Sequence, residues 1–188
     1  MEQPKLIAID VAKNVFQLCE LDAHRKVTRN EPVRRARLLQ ALAKQPPSIV
    51  VMEACYSSHY WAREFAAMGH DVRLVPAQHV KPFVRGNKND ANDALAIAEA
   101  SQRPNLRCVP VKSLAQQDMQ ALHRIRMRLV RQRIQLMNQT RGLLSDYGVV
   151  MPQGIPSFRR AMVELQADAG KHLTPFMRTQ IVEINAEF

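Results

Sequence analysis

Lys5-Leu6-Ile7-Ala8-Ile9-Asp10-Val11 is the stretch that decides the fold. Its apolar run is too short for a helix and too continuous for a half-exposed strand. It reads as a strand buried on both faces that closes on a carboxylate. Working outward, Val15–Leu21 and 26–32 read as two further strands, with Asp22-Ala23-His24 as a hairpin tip. From 33 to 44 the spacing of Val33, Ala36, Leu38, Leu39 and Leu42 predicts a helix, which Pro46-Pro47 stops. Ile49-Val50-Val51-Met52 is another buried strand. Ser57 or Ser58 caps a helix through Met68, Gly69 ends it, and Asp71–Val75 is a short strand before Pro76. Strands alternating with helices make an α/β fold.

Beyond a polar loop at 85–89, the Ala-, Leu- and Ile-rich stretch 90–100 predicts a helix, and Pro104 and Pro110 bracket a linker. Residues 113–146 contain no Pro, and no Gly until Gly142, while Leu122, Leu129, Leu136 and Leu143 recur every seven residues. This is one long helix. A second apolar line, Met127, Val130, Ile134 and Met137, predicts that it packs against two neighbours or forms a dimer. Gly148 to Pro156 breaks the pattern, and weaker helical patterns occupy 157–166 and 174–188. The expected organisation is an α/β domain over 1–103, a long basic helix or coiled coil over 104–150 that completes it, and a helical linker over 151–188.

The chain has 188 residues, 46% of them hydrophobic, enough for one domain with a real core plus an appended piece. Lys and Arg number 27 against 17 Asp and Glu, a net charge of +10, which points to a polyanionic partner and makes nucleic acid the default. No window approaches the roughly 18 apolar residues of a membrane span, and the start lacks the layout of a secretory signal. The three cysteines, Cys19, Cys55 and Cys108, show no Cys-x-x-Cys spacing. A soluble protein of the reducing cytoplasm is expected, with no membrane partner. No phosphate loop or dinucleotide fingerprint is present; Val11-Ala12-Lys13-Asn14 lacks the glycine that a sugar-kinase or actin-like ATPase would need after its first strand.

Alternation places Asp10 on the same strand face as Ala8 and Leu6, and Glu53 closes the Ile49 run in the same way. Carboxyl ends of strands are where open α/β sheets bind ligands, and two such ends with one acid each invite a hard cation. Asp90 and Asp93, three apart, project from one face at a helix start. Four carboxylates converging there could hold two Mg²⁺ ions about 4 Å apart and act on a phosphodiester. Each acid also has a structural reading: Asp10 as a turn residue, Glu53 as a lysine partner or helix cap, Asp90 and Asp93 as an N-cap with an acid at N3. Basic residues cluster at 25–37, at Lys81, Arg85 and Lys88 beside the acids, and at Arg124, Arg126, Arg128, Arg131 and Arg133 on the long helix. Lys13 follows Asp10 closely. The helix has too few acids to neutralise its arginines, so phosphates are its expected partner, beside a dimer seam with a wet polar face. No zinc spacing links the six histidines; His59 and His79 read as phosphate contacts or surface residues. Tyr56, Tyr60 and Trp61 read as packing on the helix after Glu53.

Leu6-Ile7-Ala8-Ile9-Asp10-Val11-Ala12-Lys13, Val51-Met52-Glu53-Ala54 and Lys88-Asn89-Asp90-Ala91-Asn92-Asp93-Ala94 resemble, in order, the three motifs of the DEDD transposases of the insertion sequence 110 family, relatives of the Piv DNA invertase. The resemblance runs from about Lys5 to about Tyr147. It implies a RuvC-like, RNase H-type domain followed by a helical coiled-coil region. It also implies that Asp10, Glu53, Asp90 and Asp93 are catalytic acids that bind Mg²⁺, with Mn²⁺ as a substitute. The implied activity is site-specific recombination of DNA by an oligomer, a homo-oligomer through the long helix, guided by a structured non-coding RNA. Family members continue into a second domain that supplies a serine nucleophile in a Gly-rich sequence. Neither Ser145 nor Ser157 lies in such a context, and the sequence stops before one, so metal and nucleic-acid binding are expected here and strand exchange needs the missing part. The rival readings are a self-sufficient RuvC-like nuclease that cuts branched DNA with water, and a non-catalytic nucleic-acid-binding scaffold.

Overall fold

The computed structural model describes residues 4–86, 89–167 and 173–188. The chain forms two compact units, Met1–Ser113 and Leu114–Phe188. In the first, β1 (Leu6–Asp10), β2 (Val15–Leu21), β3 (Val27–Arg34), β4 (Ile49–Glu53) and β5 (Asp71–Val75) form one sheet in the order β3-β2-β1-β4-β5. β2 runs antiparallel to β1 and β3, whereas β1, β4 and β5 are mutually parallel. This mixed sheet with flanking helices is the RNase H-type arrangement expected from the resemblance.

Helices cover both faces because the central strands are apolar on both. On one face, α1 (Arg35–Ala43) and α2 (Ser58–Ala67) bury Leu38, Leu42, Trp61 and Phe65 against Ile7, Ile9, Phe16, Val50 and Met52. Trp61 meets Phe16 edge-on with ring centroids 5.0 Å apart. The other face, carrying Leu6, Ala8, Cys19, Val51 and Val75, takes α4 (Asp90–Ser101). Ala94, Ala96, Ala98 and Ala100 are all buried in the cluster in which α4 packs on β1 and β2. Gly69, at φ +90°, ends the chain's run through α2 as expected, a left-handed position that suits glycine. Between β5 and α4 lie α3 (Ala77–Val80) and a 3-10 turn (Lys81–Phe83), which the sequence reading left unassigned.

Two side chains differ from their sequence reading. Tyr56 is 78% exposed rather than packed, while its neighbour Trp61 is fully sequestered. His59 is buried, neither a surface residue nor free for a phosphate: its Nδ1 accepts the Lys112 amide at 3.2 Å. Burial, Lys112 and Arg63 together hold its pKa below the ordinary histidine value. That contact, the Arg63 donation to the Lys112 carbonyl at 2.7 Å and a bridge from Val109 to Leu74 attach residues 104–113 to the α/β unit.

The second unit holds α5 (Leu114–Ser145), α6 (Ile155–Ala167) and α7 (Pro175–Glu187). The 32 residues of α5 form the single long helix expected. Its C-terminal third supplies Met137 and Leu144 to a small core with Met151, Phe158, Met162, Met177 and Ile181. Over the rest, Leu122 is 61% exposed and Leu129 52%, so the leucine seam faces outward there. No helix of the described residues is long and apolar enough to cross a membrane.

The seat of α4 on the sheet yields a prediction. Ala98→Leu, which forces extra volume between α4 and the sheet, should destabilise the protein by about 1–3 kcal/mol, read as a lower urea midpoint at unchanged slope.

Candidate metal centre

Strand pairing fixes the first two acids. Ile9 pairs with Met52 in the parallel β1–β4 ladder, so Asp10 and Glu53 stand side by side at the carboxyl ends of adjacent strands. Each continues the alternation of its strand, Leu6 and Ala8 in one, Ile49 and Val51 in the other, and both sets lie in the cluster beneath α4. The remaining two acids come from α4. Its N-cap is Asn89, whose side chain accepts the Asn92 amide at 2.8 Å. Asp90 and Asp93 are therefore released from the capping role that their positions allowed, and their carboxylates are free to turn toward the strand ends.

They meet Asp10. Carboxylate oxygens of Asp10, Asp90 and Asp93 all lie within 4.8 Å of one another. Glu53 stands outside that close trio yet feels it, for Asp93 raises its pKa after burial does. Asp10 is perturbed most: burial first, then Asp93, Asp90 and Glu53, lift its pKa from 3.8 to about 6. Four acids are thus held in mutual repulsion by a rigid sheet and a helix packed tightly on it. An all-oxygen, anionic donor set of this kind fits a hard divalent cation such as Mg²⁺ or Mn²⁺, whose charge would turn the repulsion into attraction.

Two residues that sequence reasoning missed steady the arrangement. Gln17, opposite Asp10 in the β1–β2 ladder, donates from Nε2 to Asn30 Oδ1 at 2.7 Å. Asn30 in turn donates from Nδ2 to the Ala91 carbonyl at 3.0 Å, tying the outer strand to the first turn of α4. Nothing local marks this pair, because the contact spans 61 residues. The expected phosphate contacts belong to both units. Lys13 and Lys81 are exposed, and Arg85 is exposed with its guanidinium 3.7 Å from Glu99. Arg124, Arg128 and Arg131 are exposed on α5, Arg128 reaching Gln132 at 3.2 Å. Lys88 lies outside the described residues.

The sign of the Asp10 shift fixes a pH dependence. Between pH 3.8 and about 6 the folded chain keeps a proton on Asp10 that the unfolded chain releases, so metal-free stability falls as pH rises through that window and stays lower above it. Asp10→Asn should accordingly be more stable than the parent in chelator near pH 8, by on the order of 1 kcal/mol for this partly exposed group, with the gap closing near pH 4. Urea midpoints at the two pH values measure it.

The sequence model of the DEDD transposases of the insertion sequence 110 type, described as a transposase family, matches residues 7–149. A probable family 20 transposase of Pseudomonas aeruginosa is 50% identical over 144 residues, 77% of this chain and 43% of that protein. The transposase for insertion sequence element IS1111A of Coxiella burnetii is 44% identical over 178 residues, 95% of this chain and 49% of its own length. The transposase for IS1328 of Yersinia enterocolitica is 42% identical over 160 residues, 85% of this chain and 48% of its own. The chain thus spans about half the length of the curated relatives it matches. Among solved structures, Thermus thermophilus RuvC superposes with a TM-score of 0.41 at 14% identity, covering 56% of this chain and 99% of that one. Matched along three quarters of its length by the family's own sequence pattern, the chain belongs to the insertion sequence 110 family of DEDD transposases.

Proposed function

We propose that the chain is the metal-dependent part of a DNA transposase that cleaves and exchanges strands by site-specific recombination. The observation that carries this reading is the convergence of Asp10, Asp90 and Asp93 within 4.8 Å, with Glu53 at the next strand end, in a member of a transposase family. These four residues would hold Mg²⁺, with Mn²⁺ as a substitute. When bound, the metal supplies Lewis-acid activation of a phosphodiester and of its attacking oxygen.

The chain's own residues do the positioning. Asp10 and Glu53 are fixed by the β1 and β4 ladders, so the metal ligands from the sheet have little freedom to move. Asp90 and Asp93 are set by the Asn89 cap at one end and by the alanine-lined seat of α4 at the other. Lys81 and Arg85, on the segment leading into α4, and Lys13, in the loop after β1, are exposed cations close in sequence to the acids and suited to DNA phosphates. On α5, Arg124, Arg128 and Arg131 would engage nucleic acid, including a structured guide RNA, through phosphates. The outward-facing Leu122 and Leu129 would serve a homo-oligomeric seam along the same helix. Strand exchange would draw its serine nucleophile from the second domain that the family resemblance implies.

Calorimetric titration tests the metal reading directly. Asp10→Asn and Asp93→Asn should each weaken Mg²⁺ and Mn²⁺ binding at least tenfold while keeping a cooperative thermal transition, since each removes one ligand charge and leaves the packing in place. Equal affinity in parent and variants would leave a nucleic-acid-binding scaffold. Cleavage of branched DNA by this chain alone with Mg²⁺ would instead favour the self-sufficient nuclease.

A further inference from the structure

The first unit carries a second charged feature, on the opposite sheet face from α4, that the acidic site does not use. Residues 25–44 hold seven basic side chains and one acid. Arg29, Arg34, Arg37 and Lys44 line an open groove between the outer strand β3 and helix α1, together with Gln40 and Glu31. Glu31, the groove's acid, is already covered by Arg29, which also reaches Glu20. Arg34, Arg37 and Lys44 are exposed and have no ion-pair partner among the described residues. Arg35 behaves differently: it lies over the Trp61 ring at 4.9 Å and donates to the Lys13 carbonyl at 3.4 Å, so it is committed to the fold. The groove therefore keeps a positive surplus that none of the described residues neutralises.

We propose that this groove is a track for the phosphate backbone of duplex DNA flanking the strand presented to the carboxylates, a reading that rests on the DNA chemistry proposed for the acidic site. The register of the sheet places it suitably. Asp10 pairs with Gln17 and Gln17 with Pro32, so Pro32 on the groove lies two strand spacings, about 10 Å, from the acid. Arg34, opposite Val15, stands at the same end of the sheet as Asp10. The basic surface reaches the loop after β1, where the Arg35 amide donates to the Asn14 carbonyl at 2.8 Å and Lys13 is exposed. Along α1, Arg37 and Lys44 are seven residues apart, an axial span of about 10 Å, enough for the two to meet separate phosphates of one strand.

Other occupants fit less well. Pro32 offers no N–H and the strand is flanked by arginines, both of which oppose addition of a peptide strand to this edge. No aromatic ring lines the groove, so it offers no stacking platform for unpaired bases.

Salt dependence of binding to a mixed-sequence DNA duplex, measured with the full chain in chelator, tests the proposal. Arg37→Ala combined with Lys44→Ala should retain the thermal midpoint and weaken duplex binding about tenfold or more at low salt. It should also reduce the slope of log affinity against log salt by about 2. Arg37→Lys should keep the slope, and Gln40→Glu, which only adds a negative charge to the groove, should weaken binding without removing any side-chain packing. Unchanged affinity and slope in the double variant and in Gln40→Glu overturn the proposal. So does a loss confined to a hairpin RNA probe, and so does a parent chain that fails to bind the duplex. Mg²⁺ titration of the double variant should match the parent. If the parent binds no Mg²⁺ while the double variant still loses its salt slope, the metal reading fails and the groove stands.

Discussion

A helix can carry charged side chains to the end of a buried strand only if the rest of it comes close to the sheet. In this protein Ala94, Ala96, Ala98 and Ala100 are buried along α4, with Ala8 among the sheet residues beneath. A larger side chain between the helix and the sheet would lift the helix axis away, and Asp90 and Asp93 would move off Asp10 with it. The acids repel one another, and that opposition has to be borne by packing elsewhere. It is borne by two ladders of strand hydrogen bonds and by apolar burial on both sheet faces, which is why the raised pKa of Asp10 coexists with an ordered site. A divalent cation would turn the repulsion among these acids into attraction.

Much of this was legible in the sequence because the deciding signals were local. The bounds of β2 and β5 follow from apolar runs between turn residues, and α5 from the absence of Pro and the seven-residue leucine repeat. Period-two alternation correctly set Asp10 on the face of Leu6 and Ala8, the face that α4 covers. The family motifs supplied the order of the acids. Where local signals were ambiguous, the structure chose. Asn89 caps α4, which frees both aspartates that a sequence reading could equally have spent on the cap. Glu53 lies beside the trio rather than within it, a distinction of distance that spacing does not encode. His59 was misread because its partner, Lys112, is 53 residues away, and the Gln17–Asn30–Ala91 chain was invisible for the same reason. Tyr56 was misread because aromatic character alone says nothing about which way a loop turns.

The net charge of +10 is spread over surfaces with different jobs in the architecture. Some cations are structural: Lys5 and Arg29 surround the buried Glu20, Arg35 covers Trp61, and Arg141 lies over Phe158 while donating to the Pro152 carbonyl. Others, such as Arg124 and Arg131 on α5 and Arg37 and Lys44 in the β3–α1 groove, have no such contact among the described residues. Composition counts both kinds alike, and only the contacts tell them apart. The surplus that remains after structural cations are set aside is what speaks for a polyanionic partner.

The hydrogen-bonded relay from Gln17 through Asn30 to the Ala91 carbonyl changes the standing of β3. As an outer strand with Val33 its one buried residue, β3 would ordinarily be an expendable border, tolerant of trimming. Here it anchors the helix that bears two of the acids. Changes at the tip, Asp22–Arg25, leave this relay in place, but shortening the hairpin from its open side would unmoor the helix start and slacken the acidic quartet without altering a single one of its members.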